Sequence, residues 1–310
     1  MTGFEVKPLE HIGAEIAGLD PTALTDEVRR DLYATWMEYG VLLFREGAAD
    51  AETHLNLAKV FGELEIHPVK SLLVEGQEEL IWLGGTGKNS GGARVIEGDV
   101  RLGHTYWHQD TAYTPNICKG SMLRMITPSK RAGSTLWADT SKAYDALPRE
   151  LADRIASLET LQCYSDLARK SWGMPGHEVR QATAEEGPPS EVEVPDFPYV
   201  AHPMVVTHPE NGRKALLLSP LGYLTIIGLP EDEADEIFDA VVSHTVKPEF
   251  CYEHWWTEND LVLWDNRRTL HYATGFPVDD YRIIQRATLS GPLPTGRVYD
   301  QAEEAASPSA

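Results

Sequence analysis

The chain has 310 residues, which is enough to bury a sizeable core in one large domain or two smaller ones. Its 48 acidic and 27 basic residues give a formal net charge of −21, which repels nucleic acid and anionic membrane surfaces. No apolar run is long enough to cross a bilayer and residues 1–16 do not have the pattern of a signal peptide, so we expect a cytoplasmic protein that binds neither nucleic acid nor membrane.

The first part of the chain predicts two helices on either side of a buried strand. The stretch "TDEVRRDLYATWMEYG", residues 25–40, starts with polar capping residues, repeats apolar residues at three-to-four spacing and ends in glycine. The next residues, "VLLFRE", predict a buried strand. After them, "DAETHLNLAKVFG" predicts a second helix that ends at Gly62.

Short apolar or alternating runs dominate the rest of the chain and predict strands. They are separated by turn-forming residues such as "PENG" at 209–212. Two more helices are predicted near 139–157 and 231–243. Many short strands with a few helices predict a mainly β fold, a β-sandwich or jelly roll flanked by α-helices.

Two segments read as mobile insertions. Residues 84–103 are rich in glycine, and residues 165–198 include an acidic stretch broken by prolines. Each is either an ordinary surface loop or a lid over a nearby site. The last residues, 301–310, predict a disordered tail.

The stretch "TYWHQDTAY" places His108 two residues before Asp110. A second such pair, His208 and Glu210, lies where Pro209 and an Asn-Gly pair predict the end of a hairpin, and two pairs are what chance predicts in this composition. Context favours the first pair, because alternate residues of a strand share a face and both side chains could bind one metal ion.

A metal site of this kind needs a third ligand, and His271 in "LVLWDNRRTLHYATG" is the best candidate. Two histidines and one carboxylate on one face of an octahedron leave three positions open, which suits ferrous iron that activates oxygen. Taken singly, each histidine could instead be a hydrogen-bonded residue of the core.

Two arginines follow on one apolar strand. In "YRIIQRATL", Arg282 and Arg286 are four residues apart and therefore share a face. A buried guanidinium group is costly unless an anion meets it. The pair predicts either internal salt bridges or binding of the acid groups of a small molecule, whose oxygens match the planar guanidinium group.

These motifs, in this order along nearly the whole chain, resemble the iron(II)/2-oxoglutarate-dependent dioxygenases of the TauD/TfdA (taurine dioxygenase) family. The resemblance rests on the His108 and Asp110 pair, "AGSTLWAD" with Thr135, the "WDNRRTLHYA" stretch and "RIIQRATLSG". It implies a double-stranded β-helix, which is a jelly roll, in a single domain over residues 1–300. It also allows a homo-oligomer, either dimer or tetramer.

The resemblance assigns roles to eight residues. His108, Asp110 and His271 would bind Fe(II), while Arg282 and the Thr135 hydroxyl would bind the distal carboxylate of 2-oxoglutarate. Arg286 and His67 match the positions that meet the anionic group of the substrate, and His104 matches a polar residue near the substrate. Together with O2, these groups would oxidise an unactivated C–H bond and yield succinate and CO2.

The substrate is predicted to be a small anionic molecule other than taurine. The segment before His108 is longer than the resemblance implies, and His104 stands where a polar amide is expected. These departures favour an oxygenase that tailors a carboxylate natural product in antibiotic biosynthesis, such as a terpenoid acid of the pentalenolactone kind. His67 and Arg286 support the alternative, an enzyme that scavenges a small sulfonate, sulfate ester or aryloxy acid.

A non-catalytic β-sandwich with a structural zinc ion is the remaining alternative. Such a site is usually closed by four protein ligands, often cysteines. Cys118, Cys163 and Cys251 are far apart and none is next to a candidate histidine, so they predict reduced thiols instead.

Overall fold

The computed structural model describes residues 3–67, 69–84, 92–190, 194–291 and 293–300, and the predicted tail lies outside them. Within this part the chain is mainly β-structure with few helices, as predicted. The helices are α1 (Asp26–Tyr39), α2 (Ala51–Ala58), α3 (Thr140–Asp145), α4 (Arg149–Ile155) and α5 (Glu231–Thr245). The strands are β1 (Glu5–Pro8), β2 (Ala14–Ala17), β3 (Val41–Phe44), β4 (Leu64–Glu65), β5 (Leu73–Val74), β6 (Gln77–Gly84), β7 (Arg94–Ile96), β8 (Asp99–His108), β9 (Asn116–Ile117), β10 (Gly120–Thr127), β11 (Thr135–Asp139), β12 (Glu159–Gln162), β13 (Val179–Gln181), β14 (Val200–Pro203), β15 (Val205–Thr207), β16 (Lys214–Leu216), β17 (Tyr223–Ile226), β18 (Cys251–His254), β19 (Leu261–Asp265), β20 (Thr269–Pro277), β21 (Ile283–Leu289), β22 (Leu293–Pro294) and β23 (Arg297–Val298).

The first helix has the ends that the sequence predicts. The Thr25 hydroxyl accepts a hydrogen bond from the Val28 amide, and Gly40 ends the helix with φ 75°, in the left-handed region. Its buried face carries Leu32 and Trp36. The strand after Gly40 is buried throughout, also as predicted.

Two predicted helices differ in the structure. Helix α2 ends at Ala58 rather than Gly62, because the Val60 and Phe61 amides turn back to carbonyls three residues earlier. The helix predicted near 139–157 is two short helices, α3 and α4, which meet at Pro148. Proline has no N–H to continue the first helix, and it precedes the first residue of the second.

The glycine-rich segment at 84–103 is largely strand where it is described. Strands β7 and β8 form a hairpin within it, and Val95 and Ile96 are buried. Strand β13, from the second segment, pairs with β7. These parts of the two predicted insertions are therefore sheet rather than loop, while 85–91 and 191–193 lie outside the described residues.

Two large, mostly antiparallel sheets contain most of the strands of the described part of the chain. One has the strand order β1-β2-β3-β19-β10-β21-β6-β5, with β4 paired to β21 and a parallel β2–β3 pair. The other has the order β13-β7-β8-β20-β11-β18. A smaller sheet, β17-β12-β14-β23, lies beside them.

The two large sheets face each other, and helices cover their outer sides. Trp137 of β11 packs against Trp264 of β19, with ring centroids 5.9 Å apart. Helices α1 and α2 share a core with the first sheet, whereas α3 and α5 share one with the second. The space between the sheets, where Trp137 and Trp264 meet, is also where the candidate site lies.

Among the described residues, no helix is both long enough and apolar enough to cross a membrane.

Candidate active site

His108, Asp110 and His271 come together between the two sheets. The Nε2 atoms of His108 and His271 lie 3.6 and 3.8 Å from Asp110 Oδ1. The centroids of the two imidazole rings are 3.9 Å apart. One ligand atom from each of the three residues lies within 4.8 Å of the others. The three side chains can therefore hold one metal ion.

The pairing of β8 with β20 brings the two histidines together, because His108 is directly opposite His271. The expectation that His108 and Asp110 share a face as alternate residues of one strand is wrong. The register shifts between His271 and Ala273, so the alternation is broken, and the strand ends at His108. Asp110 lies in a turn after the strand, in which Thr111 has φ 59°, and this turn places its carboxylate beside the two histidines.

Two amide side chains hold this turn. Asn266 accepts from the Asp110 amide at 2.8 Å and donates to the Asp110 carbonyl oxygen at 2.9 Å. Gln109 donates to the Asn266 carbonyl oxygen at 3.2 Å and accepts from the Leu218 amide at 3.0 Å. Neither residue was predicted from the sequence, and only the proximity of both to ligand positions could have suggested them.

The charge of Asp110 is stabilised from several sides. Burial would raise the pKa of Asp110, but Arg286 and the two histidines outweigh it and hold that pKa well below its usual value. Arg286 Nη1 donates to Oδ1 at 3.1 Å, and Ser121 Oγ donates to Oδ2 at 2.9 Å. The carboxylate is therefore ionised and ready to bind a cation.

The first histidine ligand has a defined tautomer. His108 Nδ1 lies 2.8 Å from the Tyr106 carbonyl oxygen, which can only accept, so Nδ1 carries the proton and Nε2 keeps its lone pair. Burial holds the pKa of His271 well below its usual value, so this ring is neutral as well. Two neutral imidazole nitrogens and one carboxylate oxygen fit ferrous iron.

A cavity of about 450 Å³ opens onto these three residues. All five of the other predicted site residues also line it: His67, His104, Thr135, Arg282 and Arg286. The structure thus brings together the whole set of residues that the sequence singled out.

Arg282 is buried in this cavity without a carboxylate partner among the described residues. Its Nε has no hydrogen-bond partner there, and burial lowers the pKa of Arg282 to about 10. Gly133, with φ 100°, packs next to the Arg282 side chain, and a Cβ there would make an ordinary contact at 3.4 Å from Arg282 Cδ. A buried cation of this kind fits an anionic ligand, as the carboxylate of 2-oxoglutarate would be.

The Thr135 hydroxyl is oriented by Trp256. The indole Nε1 of Trp256 donates to Thr135 Oγ1 at 3.0 Å, and both side chains are buried. Because indole can only donate, the hydroxyl proton of Thr135 remains available to another acceptor. Thr135 therefore fits a role as donor to the same ligand carboxylate.

Arg286 and His67 lie near the metal cluster. Arg286 is salt-bridged to Asp110, so the internal ion pair predicted as one alternative is present for this arginine. His67 Nδ1 accepts from the Val69 amide at 3.1 Å, which leaves Nε2 as the donor of the neutral ring. Burial and then the charge of Arg286 lower the pKa of His67 to about 4.

His104 is the end of a hydrogen-bonded chain. His104 Nε2 and His177 Nε2 both lie 3.1 Å from the Tyr272 hydroxyl oxygen, and His177 Nδ1 lies 2.9 Å from Glu97 Oε1. Burial, followed by the charges of His177 and Arg94, lowers the pKa of His104 to about 3. The chain thus fixes the ring of a neutral histidine in the cavity wall.

Two further groups in the cavity were not predicted from the sequence. Tyr113, Tyr164 and Phe197 pack together, with ring centroids 4.7 to 5.7 Å apart. Arg94, from the glycine-rich segment, also lines the cavity. Only Tyr113 lies in a motif of the sequence, the "TYWHQDTAY" stretch, and the others come from distant segments of the chain.

The mainly β fold, the three converging side chains that could hold a metal ion and the buried cation beside them are together typical of one class, the non-haem metalloenzymes that bind an anion next to the metal. Comparison with known proteins gives the family. The family model described as "Taurine catabolism dioxygenase TauD, TfdA family" matches residues 5–288. The chain therefore belongs to this family, as the sequence motifs predicted.

Several relatives are similar over most of their length. The (S)-phenoxypropionate/alpha-ketoglutarate-dioxygenase of Sphingobium herbicidovorans is 31% identical over 93% of this chain and 95% of its own. An alkylsulfatase of Acinetobacter baylyi is 28% identical over 92% of this chain and 84% of its own. The pentalenolactone F synthase of Streptomyces arenae is 24% identical over 94% of this chain and 97% of its own.

Solved structures of similar proteins support the same family. A taurine dioxygenase from Burkholderia xenovorans superimposes with a TM-score of 0.74 and 26% identity over 98% of both chains. This chain is accordingly a 2-oxoglutarate-dependent dioxygenase, whose cofactors are Fe(II), 2-oxoglutarate and O2.

Proposed function

We propose that His108, Asp110 and His271 bind Fe(II) and that Arg282 and Thr135 bind the distal carboxylate of 2-oxoglutarate. The observation that carries the proposal is Arg282, a buried cation with no carboxylate partner among the described residues, in the cavity that the three ligands share. An anionic cosubstrate would offset the cost of burying its charge. The two facing sheets support the double-stranded β-helix of the family, with residues 1–300 as one domain.

The reaction oxidises an unactivated C–H bond of the substrate. When bound, the iron with 2-oxoglutarate and O2 supplies the oxidising power, and 2-oxoglutarate leaves as succinate and CO2. The residues of this chain orient the substrate so that one C–H bond faces the iron and others do not. His67, His104 and Arg286 line the cavity beside the metal ligands and are the residues proposed for that role.

The substrate class that the cavity supports best is a carboxylic acid with a ring-containing apolar body. Arg286 and the neutral His67 offer donors to an acid group, while Tyr113, Tyr164 and Phe197 offer aromatic faces to a ring. Terpenoid acids of the pentalenolactone kind and aryloxy acids such as phenoxypropionate both meet this description. The relatives that act on such compounds, by their names, support it.

A sulfonate or sulfate ester is the second candidate. Arg286 and His67 are close enough for the arginine charge to lower the pKa of the histidine, so both could bind the oxygens of one sulfo group. The alkylsulfatase relative supports this candidate.

One panel separates the candidates. The iron-loaded enzyme is incubated with 2-oxoglutarate, O2 and either a pentalenolactone-type terpenoid acid, 2-phenoxypropionate, an alkyl sulfate or taurine, and substrate-dependent succinate formation is measured. The proposal predicts efficient turnover of a ring-containing carboxylic acid. Efficient release of sulfate or sulfite from the simple alkyl compounds would instead favour the second candidate.

Two substitutions test the assigned roles. Asp110→Ala should abolish succinate formation, and full turnover would remove Asp110 from the metal ligands. Arg286→Ala should raise the KM for the acid substrate and leave 2-oxoglutarate binding largely intact. Equal weakening of substrate binding and 2-oxoglutarate binding would show that the roles assigned to the two arginines are wrong.

A further inference from the structure

Arg94 is a buried cation on the cavity wall that none of the roles above uses. It opens strand β7, its side chain is 4% exposed, and it lines the same cavity as the metal ligands. Its Nε is buried without a hydrogen-bond partner, while Nη1 donates to the Ala93 carbonyl oxygen at 3.2 Å. A guanidinium group in such a place needs an anion.

The carboxylate that meets Arg94 in the structure comes from Asp166, which is itself half exposed. Arg94 Nη2 donates to Asp166 Oδ2 at 2.5 Å and to the Asp166 carbonyl oxygen at 3.2 Å, and the Asp166 side chain is 56% exposed. Asp166 also lines the cavity. The buried Arg94 needs an anion at all times, whereas the half-exposed Asp166 carboxylate can be solvated by water, so an anion that takes its place on Arg94 leaves neither charge uncompensated.

Arg94 and Arg286 act on different parts of the cavity. The charge of Arg94 helps to lower the pKa of His104, whereas the charge of Arg286 helps to lower that of His67. Arg94 lies beside Tyr164 and Asp166, while Arg286 is bonded to Asp110 at the metal cluster. Besides Arg282, the cavity therefore has one cationic position at Arg286, near Asp110, and another at Arg94, on the wall of His104 and Tyr164.

We propose that Arg94 is a second anion-binding subsite for the substrate, and that Asp166 occupies it until an acidic group of the substrate takes its place. The inference rests on the proposed function and narrows its substrate class. The substrate is a ring-containing acid with a second acidic group at the end remote from Arg286. Several arginines are needed to bind such a dianion to a chain whose net charge is −21.

A matched pair of ligands tests the subsite. Binding of 2-phenoxypropionate and of 2-(4-carboxyphenoxy)propionate, which differ by one carboxylate, is measured by calorimetry on the anaerobic enzyme with Fe(II) and 2-oxoglutarate. The wild type should bind the dicarboxylate about tenfold or more tightly, because a hydrogen bond to a charged group is worth at least that factor. Arg94→Met should abolish this preference and leave the Kd of the monocarboxylate unchanged.

Two further variants separate a binding role from a structural one. Asp166→Asn removes the competing charge and should tighten dicarboxylate binding several-fold. If the Arg94–Asp166 ion pair were only structural, Arg94→Met and Asp166→Asn would each raise the Kd of both ligands. The control is Arg180→Met, an exposed arginine of the neighbouring strand β13, which should change neither Kd.

The outcomes separate this inference from the function on which it rests. The visible absorption band of the anaerobic iron and 2-oxoglutarate complex should form in the wild type and in every variant, and its absence from the wild type would contradict the proposed function itself. If the band forms, equal binding of both ligands to the wild type, or equal weakening of both by Arg94→Met, overturns the subsite.

Discussion

At the scale of single residues, buried donors decide which atoms of the site stay available to ligands. The His108 ring donates to the Tyr106 carbonyl, so its other nitrogen is free for a metal. The Val69 amide donates to His67 and leaves that ring a donor towards the cavity. Trp256 does the same for Thr135. In each case a neighbour that can only donate, or only accept, fixes the polarity of the site residue.

Trp256→Phe should weaken 2-oxoglutarate binding. Without the indole donor, the Thr135 hydroxyl can rotate and no longer presents its proton to the cosubstrate, a loss of about three- to tenfold in affinity. The iron affinity should not change. The measurement is an anaerobic titration of the iron-loaded enzyme with 2-oxoglutarate, followed at the visible absorption band.

The control is Trp255→Phe, because Trp255 is 60% exposed and should tolerate the change. Equal effects of the two substitutions would show that Trp256 acts only through general packing.

Asn266→Asp should lower the affinity for iron about ten- to hundredfold, the usual effect of losing a residue that holds a metal ligand in place. A carboxylate cannot donate to the Asp110 and Cys118 carbonyl oxygens that the amide now bonds, so the turn that carries Asp110 would loosen. Competition with a coloured chelator measures the affinity.

Asn116→Asp, in the exposed part of strand β9, is the matched control. An unchanged iron affinity in folded Asn266→Asp protein would mean that the turn is held by other contacts.

The residues that touch ligands were more predictable from the sequence than those that position them. Spaced motifs identified His108, Asp110, His271 and Arg282, and the structure brings these into one cavity. Asn266 and Ser121 could not be predicted in the same way. Their bonds to Asp110 depend on which strands pair, and neither periodicity nor composition encodes that.

At the scale of elements, local signals fixed the ends of a helix, but distant pairing decided what the glycine-rich segment became. The capping residue Thr25 and the terminal Gly40 were readable because both act within one turn. Strand β7 could not be predicted from the local sequence, because it pairs with β13, which lies far along the chain, as well as with its neighbour β8. Glycine content alone predicted a loop there.

Gly40→Ala should lower the free energy of unfolding by more than backbone strain alone. Any L-residue at φ 75° costs about 1–2 kcal/mol. A Cβ at this position would also overlap the buried Arg268 guanidinium, which donates to the Glu38 carbonyl oxygen at 3.0 Å at the end of α1. Such overpacking adds about 1–3 kcal/mol. Urea unfolding followed by circular dichroism measures the change.

Gly76→Ala provides the reference, because Gly76 has φ 76° and a Cβ added there would meet no atom within 4 Å. The difference between the two variants isolates the contact with Arg268. Equal losses of stability would show that Arg268 moves aside without cost.

At the scale of the whole molecule, the sheets and the helices that cover them bury several histidines in the neutral state. His54 of α2 is fully buried, and its Nε2 lies 3.2 Å from the Met122 carbonyl oxygen of the neighbouring sheet. Burial lowers the pKa of His54 to about 3. The packing of α2 on its sheet therefore links the stability of the fold to pH.

Acid should destabilise the protein from about pH 6.5 downwards, and His54 should account for part of this. Its pKa is lower in the folded state, so below the ordinary value of 6.5 the unfolded chain binds a proton that the folded chain does not. Above pH 6.5 the unfolding free energy is unaffected by the titration of His54. Between pH 6.5 and pH 3 it falls by up to about 1.4 kcal/mol for each pH unit. In His54→Gln the side-chain amide can still donate to Met122 but cannot titrate, so the dependence of the unfolding free energy on pH should become shallower by one proton between pH 6 and pH 4. Urea unfolding of the metal-free protein at several pH values measures this dependence, and His11→Gln, at an exposed histidine, is the control. If the unfolding free energy of His54→Gln depends on pH as steeply as that of the wild type, the buried imidazole takes up its proton without unfolding the chain.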